Sequence, residues 1–232
     1  MRPQTIQIYL PFGDPQGIRV AEITTRTVQV FDVPRSEISI FFEMDESDQV
    51  AVYFLFGDDA EDHRPQCYIG RTNATRLRFK DHLKTKDYWT RALIAVSRTN
   101  TKTDTHAGYL EWKAIREAQE AGRFRIENGN AGSRPHTPAP LQAECEEIFE
   151  TISTLVATLG FPVFQKLATA APKSTDLEVF YNGRGASGRG VFSTDGLTVF
   201  KGSRCAKDPT ERATPDSLHA RRDRLLADGT LI

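Results

Sequence analysis

The run VAVYFLF at residues 50–56 constrains this chain more than any other. Its residues are all apolar and mostly β-prone, with no polar alternation. Such a run has to be buried on both faces, as in the central strand of a sheet. The polar stretch GDDAEDHRPQ follows, then CYIG as a second strand, so the pair reads as a hairpin with a long acidic loop. TRLRFKDHLK at 75–84 reads as a short basic helix with Thr75 as its N-cap. LIAVSRT at 93–99 is a third strand. THAGYLEWKAIREAQEA at 105–121 has the spacing of a longer helix, ended by Gly122 just past its last turn. The order is β-β-α-β-α, and the expected fold class is α+β, a small antiparallel sheet flanked by helices.

The flanks read differently. Residues 5–33 carry three short alternating runs, TIQIYLP, RVAEIT and VQVFDVP, and predict an N-terminal β meander. The stretch NGNAGSRPHTPAP at 128–140 is rich in Pro, Gly and Asn and predicts a domain boundary. An acidic helix is expected over 141–159. DLEVFYN, GVFST and LTVFK predict strands between 177 and 201, with Asp195-Gly196 as a hairpin turn. A last basic helix is expected over 218–227. The predicted division is therefore 1–44 for a β extension, 45–130 for a central domain, 131–160 for a linker and acidic helix, and 161–232 for a mostly β module. No internal repeat is visible. Gly183, Gly185 and Gly188 spell G-x-G-x-x-G, but no helix follows to hold a pyrophosphate, so a glycine-rich connection between strands is expected instead.

Hydrophobic residues at 39% and charged residues at 26% describe an ordinary globular chain rather than a disordered one. The opening MRPQTIQIYLPFGD lacks the pattern of a signal peptide, and no apolar run approaches the roughly 18 residues that span a bilayer. A cytoplasmic protein without a membrane partner is expected. Cys67, Cys145 and Cys205 lie too far apart for a structural zinc site and are expected as reduced thiols. Net charge is −1, yet Arg64 to Lys102 holds ten Lys/Arg against two Asp/Glu. Glu43 to Asp62 holds eight acids and no base. The basic stretch could gather phosphates on an otherwise neutral chain, or it could be a solvated face.

Five positions look chemical. On the 105–121 helix, Ala107, Leu110, Ala114, Ile115 and Ala118 mark the apolar stripe, and Glu111 falls inside it. A carboxylate on a packing face needs a cation beside it, either an ion-pair partner or a metal. Tyr53 sits within the apolar strand, where its hydroxyl needs a partner. Tyr68 on the neighbouring strand could bring a second phenol alongside. Arg78 and His82 are four apart on the basic helix and share one face.

Together these residues resemble the GIY-YIG nuclease superfamily over 45–130. Its first motif corresponds to Ala51-Val52-Tyr53, with Ala and Val in place of Gly and Ile. Its second is intact as Tyr68-Ile69-Gly70, followed by Arg71-Thr72. The helix arginine falls on Arg78, with His82 completing R-x-x-x-H, and the metal-binding glutamate on Glu111. The family asparagine falls on Asn128 or Asn130. The flanks GDPQGIRVAEIT and NGRGASGRG through VFKGS resemble parts attached to a bacterial subgroup, the second being a module of unknown function. In that subgroup the module usually continues beyond the point where this chain stops, at Leu231-Ile232.

The resemblance implies a metal-dependent endonuclease acting on the phosphate backbone of DNA. Glu111 would hold Mg²⁺ or Mn²⁺ beside the leaving oxygen, and Arg78 would neutralise the phosphate. Tyr53 would accept a proton from the attacking water or orient it, which asks for nearby cations to lower a phenol pKa of about 10. Tyr68 would hold the phosphate or its water, and His82 would relay a proton. Arg71, Lys84, Asn128 and Asn130 are the candidates for substrate contact, the asparagine fixing local backbone rather than reacting. The alternative is a catalytically inactive module of the same fold that binds nucleic acid or a protein. Oligomeric state is left open.

Overall fold

The computed structural model describes residues 3–58, 65–129, 131–166, 177–183, 185–193, 196–200, 202–204 and 216–227. The chain divides into two compact units, Met1–Gln165 and Lys166–Ile232.

In the first unit the elements run β1 (Gln7–Tyr9), β2 (Arg19–Glu22), β3 (Val28–Pro34), α1 (Ile38–Phe41), β4 (Ala51–Asp58), β5 (Pro65–Thr72), α2 (Thr75–Thr85), β6 (Trp89–Ser97), α3 (Asp104–Ala121), β7 (Arg125–Ile126) and α4 (Ala139–Thr158). The class is α+β, but the sheet is neither small nor purely antiparallel. It has seven strands in the order β1-β2-β3-β6-β4-β5-β7, antiparallel except for the parallel pair β5–β7.

All of VAVYFLF but Val50 falls in β4, which lies between β6 and β5, with Ala51 to Phe56 all buried. Because strand side chains alternate, β4 divides its residues between two cores. Val52, Phe54 and Phe56 join the apolar faces of α3 and α4, where Ala107, Leu110, Ala114, Ile115 and Ala118 are buried as the stripe predicted. Ala51, Tyr53 and Leu55 pack on the opposite side with Phe41 of α1, Phe79 of α2 and Trp89. The sheet thus separates two helical layers.

The N-terminal meander is not a separate extension. β3 pairs along its whole length with β6, Val28 opposite Ser97 and Pro34 opposite Arg91, and so forms part of the sheet's interior. Asp32 on β3 is fully buried between the guanidinium groups of Arg19 and Arg91. Arg91 also donates to the carbonyls of Gln16 and Gly17, tying the preceding loop to the strand. Nor is 131–160 a linker. Cys145, Ile148, Phe149, Ile152, Leu155 and Val156 of α4 close the core over β3 and α3. The expected boundaries at 44/45, 130/131 and 160/161 therefore give way to one at 165/166. The physical reason is non-local. Segments lacking enough apolar area of their own complete each other's ladders and faces.

Helix ends follow local chemistry with small shifts. The cap before α2 is Ala74, which has no side-chain bond, and Thr75 is the first helical residue. Thr103 caps α3 in a reciprocal box with His106, and Gly122 closes it in the left-handed region at φ 64°.

The second unit holds β8 (Leu177–Gly183), β9 (Ala186–Ser193) and β10 (Gly196–Val199) in an antiparallel sheet, and α5 (Asp216–Ala227). The three glycines of the G-x-G-x-x-G pattern serve the β8–β9 hairpin, where Gly185 has φ 75°. Gly196 has φ 98°. Asp195, Asn130, Cys205, Leu231 and Ile232 lie outside the described residues, whereas Cys67 and Cys145 are free and buried. Among the described residues no helix is long and apolar enough to cross a membrane.

Candidate active site

Tyr53 is placed by its strand. Its side chain leaves the middle of β4 toward the α1/α2 layer and is fully buried. Opposite it in the register stands Gly70. A Cβ on Gly70 would overlap the Tyr53 hydroxyl and the ring carbon that bears it, so the phenol lies directly across the bare backbone. The glycine of Tyr68-Ile69-Gly70 is thus the floor on which Tyr53 rests.

Helix α2 supplies the partners. Four residues apart, Arg78 and His82 both face the sheet. Tyr53 Oη is 2.7 Å from His82 Nε2, and Arg78 Nε donates to the same oxygen at 3.1 Å. Arg78 Nη2 donates to Tyr68 Oη at 3.2 Å, so one guanidinium joins both phenols. The Tyr53 ring packs at 5.0 Å from Phe79, and Tyr68 meets His82 edge-on at 5.3 Å. Lys86 Nζ lies 4.3 Å above the Tyr68 ring.

Protonation follows from burial. Desolvation, with Arg78 and Lys86 adding repulsion, holds His82 down at about 4, so its imidazole is neutral at pH 7. Burial pushes the Tyr53 phenol well above its ordinary value, and the bond from Arg78 offsets only part of this. These surroundings favour the protonated phenol, so a basic role for Tyr53 asks for a proton acceptor behind it as well as for the nearby cations. Arg78 can only donate, and a neutral imidazole nitrogen can accept. With Arg78 donating into Tyr53 Oη, one polarity has Tyr53 O–H donate to His82 Nε2, which puts the imidazole proton on Nδ1, a buried atom with no hydrogen-bond partner among the described residues.

The carboxylate side is built on β5 and α3. Next to Gly70, Arg71 donates from Nε to Glu111 Oε2 at 3.1 Å and from Nη1 to the Asp104 carboxylate. Asp104, Gly108 and Glu111 follow one face of α3, and the guanidinium lies across Gly108, 3.7 Å from where a Cβ would stand. A glycine inside a helix is about 1 kcal/mol worse than alanine, and here it leaves the path of Arg71 open. Glu111 is half-buried. Burial raises its pKa, while Arg71 first and then Arg78 pull it back.

Some expected substrate contacts stand elsewhere. Lys84 is exposed on α2 and lies two residues, about 200° of helix, from His82, so it faces away from the phenols. Asn128 is committed to the fold. Its Oδ1 accepts from Ile69 N–H at 2.9 Å and its Nδ2 donates to the Ile69 carbonyl at 2.8 Å. The side chain continues along β5 the ladder that β7 begins, and it acts as a strand surrogate rather than a substrate contact. Sequence reasoning missed Asp104 and Gly108. The one signal available was a glycine in the interior of a strong helix.

For a divalent cation the donor set is sparse. Among the described residues no three His, Cys, Asp or Glu groups are arranged to hold a metal. Glu111 alone fits an ion that keeps several waters and takes further oxygens from substrate, which is the habit of Mg²⁺. In comparisons with protein-family models, with curated proteins and with solved structures, the chain matches none.

Proposed function

We propose that the first unit is a GIY-YIG-type endonuclease that hydrolyses phosphodiester bonds of DNA with Mg²⁺ or Mn²⁺. The observation that carries this reading is the convergence of Tyr53, Tyr68, Arg78 and His82, from three separate elements, through hydrogen bonds of 2.7–3.2 Å. Glu111 stands on the helix that follows, within the electrostatic reach of Arg78. The succession β4, β5, α2, β6, α3 supports the same reading.

In this mechanism Arg78 places its exposed edge against the non-bridging phosphate oxygens, which its planar fork suits. Tyr68 holds the phosphate or its water by hydrogen bond. Tyr53 Oη takes a proton from the attacking water while its own proton passes to His82 Nε2. The water oxygen forms the new P–O bond, the bond to the leaving 3′-oxygen breaks, and His82 ends as an imidazolium. Relay to a neutral imidazole avoids a free phenolate, and the imidazolium that remains, which the same burial disfavours, would be offset by the negative charge of the bound phosphate. Glu111 would hold the cation, which would supply charge neutralisation to the leaving oxygen. Arg71 flanks the site as a second phosphate contact.

Nicking of supercoiled DNA by the full chain in Mg²⁺ or Mn²⁺ tests this. Tyr53→Phe and Glu111→Ala should each abolish product, and cutting at the unaltered rate in Glu111→Ala overturns the assignment. A second reading, a catalytically inactive module that binds nucleic acid or a protein, draws on one observation: the Glu111 carboxylate is already paired with Arg71. DNA binding that is indifferent to metal and yields no product would favour it.

A further inference from the structure

The guanidinium of Arg71 serves two carboxylates at once. Nε is bonded to Glu111 and Nη1 to Asp104, whose backbone carbonyl also accepts from Nη1 at 3.5 Å. Asp104 is the first residue of α3, directly after the Thr103 cap, where Thr103 N–H donates to His106 Nδ1 at 3.1 Å. The backbone that carries Asp104 is therefore anchored, and Gly108 leaves the track between the two acids unobstructed.

We propose that Asp104 is a positioning residue that acts through Arg71 and sets how readily the Glu111 carboxylate accepts a divalent cation. The proposal rests on the metal assignment of Glu111 made above. A cation arriving at Glu111 competes with Arg71 for the same carboxylate. With Asp104 in place, Arg71 can loosen its hold on Glu111 and still have an acceptor and a neutralising charge. Without Asp104, Glu111 is the only carboxylate bonded to this guanidinium. The pair tightens, and an uncompensated positive charge stands beside the incoming ion. Asp104 is largely exposed and Arg71 about a third exposed, so the effect is moderate.

The test is Mn²⁺ binding to the full chain, followed by loss of the free-ion electron paramagnetic resonance signal, with no DNA present. Asp104→Asn should weaken binding by about three- to tenfold, the size of one nearby unit charge in a partly solvated site. Asp104→Glu should restore it. Arg71→Met should bind at least as tightly as the native chain, and adding Asp104→Asn to it should change affinity less than about twofold, as a pathway through Arg71 requires. Native affinity in Asp104→Asn, or equal weakening with and without Arg71, would overturn the proposal. Glu111→Ala separates the two levels. If it abolishes Mn²⁺ binding while Asp104→Asn does nothing, the role of Asp104 alone falls. If it leaves binding intact, the metal assignment falls and this inference with it.

Discussion

On β4 and α2, Tyr53, Phe79 and His82 are closed off from solvent and packed or bonded against one another, whereas Arg71, Asp104 and Glu111 on β5 and α3 remain partly in water. The two groups meet on β5, where Gly70 faces Tyr53 and its neighbour Arg71 holds the acids, yet different forces hold them. The phenol side is a piece of the core that carries polar atoms, so its geometry is inherited from packing. The carboxylate side is a set of ion pairs laid along a helix, so its geometry can change without disturbing the fold. On the proposed function, a site that takes up a cation would gain from having its adjustable half on the surface and its fixed half inside.

The sharpest way to break this comparison is Gly70→Ala. If the phenol side is continuous with the core, one methyl group will expel Tyr53 from its bonds to Arg78 and His82. Denaturant unfolding should then report a loss of about 3 kcal/mol, from overpacking plus stranded hydrogen bonds. A fully stable Gly70→Ala would show that Tyr53 has room to move and that the two sides do not differ in kind.

The next effect is one of pH. His82 titrates near 4 in the folded chain against 6.5 when free. Between those values the unfolded chain binds a proton that the folded chain refuses, so this contribution is complete above pH 6.5 and shrinks as pH falls. The loss by pH 4 is up to about 3 kcal/mol. Urea melts at pH 7.5 and pH 5 should show a larger acid penalty for the native chain than for His82→Gln, and equal penalties would sink the account.

Asn128→Ala sharpens the comparison by loosening the strand that both sides share. It leaves the N–H and C=O of Ile69 without their present partners, at about 2 kcal/mol. Thermal unfolding should fall accordingly, with cleavage of DNA persisting at temperatures where the variant is folded. Smallest is Glu111→Gln. Burial makes the environment of this carboxylate unfavourable to its charge. Neutralising it should leave stability within about 0.5 kcal/mol of native, as for an exposed ion pair, while removing cleavage. A large destabilisation would place Glu111 with the structural residues and against the proposed role.

Much of the site could be read from residue order. Tyr53 in an apolar strand, Arg78 and His82 at helical spacing, and Glu111 in the stripe of α3 were each legible because periodicity exposes a polar group out of place. Asn128 was legible as an asparagine that fixes backbone, but the strand it fixes was not, since its two bonds to Ile69 join residues far apart in the chain. The partner of Glu111 was not legible either. Several arginines lie within the basic stretch, and only the β5–α3 packing selects Arg71.

The sequence by itself determined most of the strands and helices, though not the short α1 and β7, because turns, caps and hydrophobic period act over a few residues. It also determined that Tyr53 and Glu111 would need partners, because their neighbours along the chain are apolar. Tertiary structure alone decided that the first three strands and α4 complete the same core as β4. It likewise decided which guanidinium serves which acid, and that Tyr53 keeps its proton while His82 stays neutral. Those outcomes depend on desolvation and on pairings between distant segments, which exist only once the chain has closed on itself.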